Sequence, residues 1–160
     1  MINHWEEFNV TPDAREPMGM RVSLTTSGFI CINMRALKNL GEPSHAVLYF
    51  DRANSLIGIK PGNAALANAY ALHAWGDSPS RIIRAKKFCT YHGIKIERTI
   101  IFNEPRVNTD GFLVLDLNHT HIKLKWAEVE EQERLELEAR RRLIEKQGFW
   151  YGKRMFPLPR

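Results

Sequence analysis

Residues 81–98 carry the densest group of side chains that could do chemistry in this chain. They include six lysines and arginines against the single acid Glu97, a net charge of +5 over 18 residues. Arg81, Arg84 and Lys87 follow at a spacing of three, which predicts a basic stripe on one face of a helix. Such a stripe is typical of contact with nucleic-acid phosphates, and equally of a solvated helix face. The candidate nucleic-acid contacts here are Arg81, Arg84, Lys86, Lys87, Lys95 and Arg98.

Two histidines, His119 and His121, are separated by one residue. On a strand they would share a face, a spacing that a metal ion could use, but only Asp116 is near enough in sequence to complete a site. We therefore expect surface or structural histidines and no metal. The chain also lacks a nucleophile elbow, a phosphate-binding glycine loop, a CxxC motif and an HExxH motif. The prediction is a protein that is not an enzyme and needs no cofactor.

The segment 126–147 has the composition of a long charged helix. Glutamates dominate its first turns and arginines its last, an order that complements the helix dipole. Its apolar residues form one narrow stripe of Leu135, Ala139 and Leu143 and a second of Leu137 and Ile144. Stripes this narrow bury little surface within one chain, so we expect a projecting arm or one side of an oligomer contact.

Aromatic and basic residues alternate in the tail, residues 148–160. Aromatic rings there could stack on bases, fill a groove of a partner, or fold back onto the domain. Together with the helix stripe, the tail gives a set of candidate partner-binding residues. These are Leu135, Leu143, Phe149, Trp150 and Tyr151.

Composition places the chain among ordinary globular proteins. It has 160 residues, 44% hydrophobic and 26% charged, with a net charge of +5 and a pI near 9.4. The basic balance favours an anionic partner. The N-terminus has no signal-peptide pattern and no apolar run is long enough to span a bilayer, so we expect a soluble cytoplasmic protein without membrane contact. Cys31 and Cys89 lie in apolar stretches, which indicates buried reduced thiols.

The elements that would position these residues become regular after a leader, residues 1–19. Residues 20–25 alternate apolar and polar as a half-buried strand does, and 29–33 return as a second strand. Asn33 predicts the cap of a short helix, Met34 to Leu40, which Gly41 ends. Residues 46–50 and 56–59 predict a further pair of strands, which completes a β-β-α-β-β unit over 20–62.

A second unit over 63–124 has a similar order. Residues 67–74 predict a strand, and a helix begins after Ser80 as its cap and ends at Gly93. Strands follow over 94–102 and 112–117. Either an ancient duplication or chance explains the similarity. The predicted fold class is α+β: two β-α-β-β-type units of small-barrel character, followed over 125–160 by the charged helical arm and tail.

The stretch from Gly28 to Gly41, GFICINMRALKNLG, resembles the AbrB-like and MraZ-like swapped-hairpin family, in which G-x-I-x-I-P-x-x-x-R-x-x-L-G is the common pattern. Asn33 stands at the usual proline and Leu37 at the usual arginine. The resemblance covers residues 20–61. It implies hairpins interlocked in one small barrel, either from two chains or, as in MraZ-like proteins, from two units of one chain, with basic residues of the first strands and turn contacting DNA. It adds Arg21 to the candidate nucleic-acid contacts.

Two functional hypotheses follow. The first is a non-enzymatic homodimer or larger oligomer that binds DNA as a transcription regulator of the swapped-hairpin type. The alternative is an interaction or scaffold module that uses the arm and the tail to bind protein partners.

Overall fold

The structure, a computed structural model, describes the backbone of residues 19–155 and the side chains of residues 19–147. In chain order the first elements are β1 (Val22–Leu24), β2 (Phe29–Ile32), α1 (Met34–Leu40), β3 (His45–Asp51), β4 (Leu56–Gly62), β5 (Tyr70–Ala71) and β6 (His73–Trp75). They are followed by β7 (Ser78–Arg84), α2 (Lys86–His92), β8 (Ile100–Phe102), β9 (Arg106–Val107), β10 (Leu113–Asp116), β11 (Thr120–Ile122) and α3 (Trp126–Met155).

The strands form two antiparallel sheets, and the α+β class is confirmed. The six-stranded sheet has the order β11-β8-β1-β2-β7-β6, and the five-stranded sheet has the order β5-β3-β4-β10-β9. Buried residues of both sheets and of α1 and α2 belong to one hydrophobic cluster. The chain divides into two compact units, the first ending at Ile122 and the second beginning at Lys123.

The first hairpin follows the period-two pattern of its sequence. Val22 lies opposite Ile32 and Leu24 opposite Ile30 in the β1–β2 register, and all four side chains are fully buried. Successive side chains of a strand point to opposite faces, so alternation places every second residue in the core. The predicted pair of strands is therefore confirmed.

Helix α1 begins and ends where the sequence predicts. The Asn33 side chain accepts a hydrogen bond from the backbone N–H of Ala36 at 3.0 Å, which caps the first turn. Gly41 adopts the left-handed conformation with φ of 91°, and its N–H bonds to the last carbonyls of the helix. Leu37 and Leu40 point into the core.

The predicted helix start at Ser80 is wrong. Residues 78–84 form strand β7, and α2 begins only at Lys86. The reason is the pairing of β7 with β2, in which Ile83 lies opposite Ile30 and both are fully buried. A β-branched pair such as Ile82 and Ile83 suits a strand, and the hydrogen bonds to a distant strand outweigh the local helical spacing.

Two other predicted strands are shorter than expected. Only Ile100–Phe102 of the segment 94–102 is a strand. The segment 67–74 contributes the two-residue strand β5 and the start of β6, on either side of Leu72. Both shortened strands pair across the chain, β8 with β1 and β5 with β3, so their length depends on distant partners.

The two predicted units share one core because their strands pair with each other. Four pairings join strands of 20–62 to strands of 63–124: β1 with β8, β2 with β7, β3 with β5, and β4 with β10. Each unit also places a seven-residue helix directly after a central strand of the six-stranded sheet. This arrangement brings the first hairpin and α2 close together.

The compact unit that begins at Lys123 contains α3. This helix runs from Trp126 to Met155 and so extends past the end predicted at Gln147. The helix begins where glutamates become frequent. Just before it, the Lys125 N–H donates a hydrogen bond to Glu128 Oε2 at 2.8 Å. Within the residues that the structure describes, no helix combines the length and apolar character that crossing a membrane requires.

Candidate nucleic-acid interface

The basic residues of 81–98 do not form the predicted helical stripe. Arg81 and Arg84 belong to strand β7, opposite Ile32 and Phe29 of β2, and only Lys87 of that trio is on a helix. Residues three apart on a strand point to opposite faces of the sheet. Arg81 is half-buried and donates from Nη1 to the Ser80 carbonyl at 3.1 Å, whereas Arg84 is exposed.

Helix α2 presents a polar face that combines positive charge with an aromatic ring. Phe88 and Cys89 are buried, while Lys86, Lys87 and Thr90 are exposed. Tyr91, on the same outer face, has 81% of its surface exposed. An exposed aromatic ring beside lysines is able to stack on a nucleobase.

The turn between β1 and β2 lies directly against the start of α2. The Ala85 N–H donates to the Gly28 carbonyl at 2.9 Å. Gly28 has a φ of 78°, and a Cβ atom there would come within 2.7 Å of the Lys86 Cα atom. Both the backbone conformation and the close approach require glycine. The turn glycine of the predicted hairpin therefore also fixes the position of α2.

A groove with a volume of about 260 Å³ opens where this turn meets α2 and the segment after it. Lys86 and Lys95 supply its positive charge, and Thr25, Thr26 and Ser27 of the turn also line it. The Thr25 hydroxyl already accepts from the Phe29 N–H at 3.1 Å, which holds the turn in shape. Ammonium groups beside hydroxyl donors form a surface that can hold a phosphate oxygen.

The other candidate contacts lie outside this groove. Lys87 is exposed on α2, and Arg84 ends β7 opposite Phe29, the residue after the turn. Arg98 is exposed in the segment after α2. Arg21 precedes β1, and four residue steps of about 3.3 Å separate it from the turn. It borders a different cavity of about 370 Å³, together with Asn103 and His121.

The two histidines that could have bound a metal have different partners. His119 precedes β11 and lies 3.3 Å from a carboxylate oxygen of Asp116, while His121 is on β11 and lies 2.5 Å from the Asn103 side-chain oxygen. The expectation that they share a strand face is wrong because His119 belongs to the turn after β10. Among the described residues no group of three metal-binding side chains occurs.

Two titratable side chains of α2, Cys89 and His92, contact the core. Burial raises the pKa of the Cys89 thiol, which favours its protonated form. His92 packs against the rings of Phe50 and Phe88, each with its centroid 4.7 Å away. Burial, and to a smaller extent the charge of Arg52, lower the pKa of His92. Both side chains therefore pack on the inner side of the helix, away from its exposed lysines.

The candidate partner-binding residues belong to the second unit. Leu135 and Leu143 are 53% and 61% exposed on α3. Phe149, Trp150 and Tyr151 continue the same helix, and their side chains lie outside the part of the chain that the structure describes.

Sequence reasoning missed the hydroxyl wall of the groove and the exposed ring of Tyr91. The sequence predicts a strand end at Thr25 and a turn over 26–28, and nothing local relates these residues to Lys86, which is about 60 positions later in the chain. The contact arises from the β2–β7 pairing, which aligns the end of one strand with the start of the other.

Comparison of the chain with protein-family models, curated proteins and solved structures finds no match.

Proposed function

We propose that this protein binds nucleic acid without catalysing a reaction, as an oligomeric regulator of the swapped-hairpin type, and that the β1–β2 turn and α2 form its contact surface. The observation that carries the proposal is a groove lined both by Lys86 and Lys95 and by the hydroxyl-bearing residues Thr25, Thr26 and Ser27. Phosphate recognition needs positive charge and hydrogen-bond donors at one place, and this groove provides both.

The charge of the first unit supports the same proposal. Residues 19–122 include 12 lysines and arginines against 7 aspartates and glutamates. Five of those basic residues fall between Arg84 and Arg98, around α2. A basic excess concentrated on one element attracts a polyanion and raises its association rate.

The exposed Tyr91 extends the surface beyond simple charge attraction. Lys87 and Tyr91 are four residues apart on α2, so they lie on the same side of the helix. A lysine on a phosphate and an aromatic ring on a base is the usual combination for a strand with unpaired bases. The proposal therefore includes single-stranded as well as duplex nucleic acid.

The swapped-hairpin resemblance agrees with the position of the surface. In that family the first strands and their turn face DNA. Here the turn itself supplies hydroxyls, and the second half of the chain supplies the lysines that flank it, Lys86 and Lys95. The alternative function, a protein-interaction module, draws on the exposed leucines of α3.

The test is a titration of labelled duplex and single-stranded DNA over a series of salt concentrations. The variant Lys86→Gln/Lys95→Gln should flatten the plot of log affinity against log salt by about 0.9 for each lost contact on duplex DNA. Lys38→Gln/Lys60→Gln removes the same charge from exposed lysines that do not line the groove, and is the matched control.

The result that supports the proposal is a smaller salt slope for the groove variant and an unchanged slope for the control. No affinity of the parent protein for either DNA, or an equal loss in both variants, would remove this function and leave the protein-interaction alternative.

The variant Tyr91→Ala should weaken binding of single-stranded DNA more than binding of duplex DNA, since only unpaired bases can stack on the ring.

A further inference from the structure

Helix α3 has an apolar stripe of three residues that is symmetric about the middle one, Ala139. Leu135, Ala139 and Leu143 follow at a spacing of four and lie on one face of the helix. The two leucines are 53% and 61% exposed. The stripe has a small residue at the middle and the same large residue at both ends, so reversing the helix direction leaves its shape unchanged.

The charges along α3 are also arranged for reversal. From Glu128 to Glu138 the helix has six glutamates and one arginine, and from Arg140 to Lys146 it has four basic residues and one glutamate. Two helices side by side in opposite directions would place each acidic half against a basic half. In the same direction, like charges would face each other, which destabilises the pair.

Several charged side chains of α3 have no ion-pair partner among the residues that the structure describes. Arg134 pairs with Glu131 at 2.6 Å. Among the side chains that the structure describes, Glu136, Glu138, Arg140 and Arg142 make neither an ion pair nor a hydrogen bond. Neighbours four residues apart on this face, Glu136 with Arg140 and Glu138 with Arg142, do not pair with each other, so these side chains are available to a second helix.

We infer that α3 is a self-association surface, on which α3 of a second copy of this chain packs in the antiparallel direction with the two-fold axis at Ala139. Leu135 then packs against Leu143 of the second copy, and the converse contact follows from the symmetry. The small side chain of Ala139 lets the two helices approach at the crossing point.

The same symmetry determines which charges meet. Successive residues turn by about 100°, so Glu136 and Arg140 lie on one side of the stripe and Glu138 and Arg142 on the other. A two-fold axis preserves the side and reverses the direction. Glu136 therefore meets Arg140 of the second copy, and Glu138 meets Arg142 of the second copy, each pair occurring twice.

Two cysteine variants test the direction of the helices directly. Leu135→Cys and Leu143→Cys proteins are prepared separately, mixed, oxidised gently and digested to map the linked peptides. A disulfide needs Cα atoms within about 7 Å. In the antiparallel pair position 135 meets position 143, whereas two copies of position 135 are about 12 Å apart along the axis, eight steps of about 1.5 Å.

The expected product is a link between position 135 of one chain and position 143 of the other, formed only in the mixture. Links of either variant to itself would mean a parallel pair, and the absence of any link at these positions would mean that α3 does not pair. Each of those results overturns the inference. The native cysteines Cys31 and Cys89 are present in every sample and serve as an internal control.

Charge reversal provides an independent test by sedimentation of the full-length protein. The Glu136→Arg/Glu138→Arg variant should shift the dimer to monomer, and Arg140→Glu/Arg142→Glu should do the same. Mixing the two variants should restore a dimer with one copy of each. The control Glu130→Arg/Glu133→Arg makes the same charge change at positions turned by about 180° and about 120° from Ala139, and should remain dimeric.

A parent protein that sediments as a monomer, or a control that dissociates as fully as the stripe variant, would contradict the inference. All substituted residues are exposed, so folding should be unaffected, which the circular dichroism of each variant checks. The inference does not depend on nucleic-acid binding. Dimer variants should lose association while the intrinsic salt slope set by Lys86 and Lys95 remains.

Discussion

Helices α1 and α2 occupy corresponding places in the two halves of the chain but serve different surfaces. Each has seven residues, follows a central strand of the six-stranded sheet and ends at a left-handed glycine, Gly41 or Gly93. Aligning those glycines places Asn33 with Ala85 at the helix start and Leu37 with Cys89 in the core. The shared features are those needed to close a helix against a sheet.

The differences lie in how each helix is held and in what it exposes. Asn33 caps α1 with its side chain, while the corresponding Ala85 makes no side-chain cap for α2. Contact with the β1–β2 turn holds the start of α2 instead, through the bond from Ala85 to the Gly28 carbonyl. The start of α1 is therefore held by its own capping residue, whereas the start of α2 depends on the turn with which it forms the groove.

The largest loss of stability is expected for a core residue of α1, and a smaller one for the corresponding residue of α2. Leu37→Ala removes a large side chain that is 4% exposed, and should lower the free energy of unfolding by about 3 kcal/mol. Cys89→Ala at the corresponding position removes one sulfur atom and should cost about 1 kcal/mol. Urea unfolding of both variants measures the difference. Equal losses would mean that the two helices do not have corresponding roles in the core.

A smaller effect separates the turn from the helix ends. Gly28→Ala should cost about 2 kcal/mol, because it combines a positive φ with a close approach to the Lys86 backbone. Gly93→Ala, also at positive φ but with open space around it, should cost about 1 kcal/mol. The same unfolding measurement ranks them. If Gly28→Ala proved the milder change, α2 would not depend on the turn for its position.

Much of the fold could be predicted from local pattern. The first hairpin, the cap at Asn33 and the left-handed Gly41 and Gly93 are confirmed, because each follows from a residue and its immediate neighbours. The start of α2 could not be predicted in the same way. Ile82, Ala85 and Phe88 have helical spacing, but the pairing of β7 with β2 makes the first of them part of a strand.

The candidate site was predictable only in part, for the same reason. Lys86, Lys87 and Lys95 stand out as charges in the sequence, and the structure places Lys86 and Lys95 together at the groove. Their hydroxyl neighbours at residues 25–27 come from a turn far away in sequence. Arg81 and Arg84 were grouped with Lys87 by spacing, which has no meaning across the change from strand to helix.

The smallest expected effect concerns His92, which takes the place that Leu40 has in α1. Burial first, and then the charge of Arg52, lower the pKa of His92 below its ordinary value of about 6.5. The unfolded chain therefore binds a proton more readily than the folded one. The stabilising contribution of the neutral ring is complete above the unfolded pKa and is lost as the pH falls below it.

Replacing His92→Phe keeps a ring against Phe50 and Phe88 but removes the titration. Between about pH 7.5 and about pH 5.5 the parent protein should lose more stability than the variant, since only the parent binds an additional proton on unfolding. Urea midpoints at a series of pH values measure this difference, and the other histidines, present in both proteins, cancel from it. Parallel curves for the two proteins would show that His92 titrates alike in both states. In that case His92 would be packed more loosely against Phe50 than the structure places it. Its position would then differ from that of the aligned Leu40 of α1, which is 6% exposed.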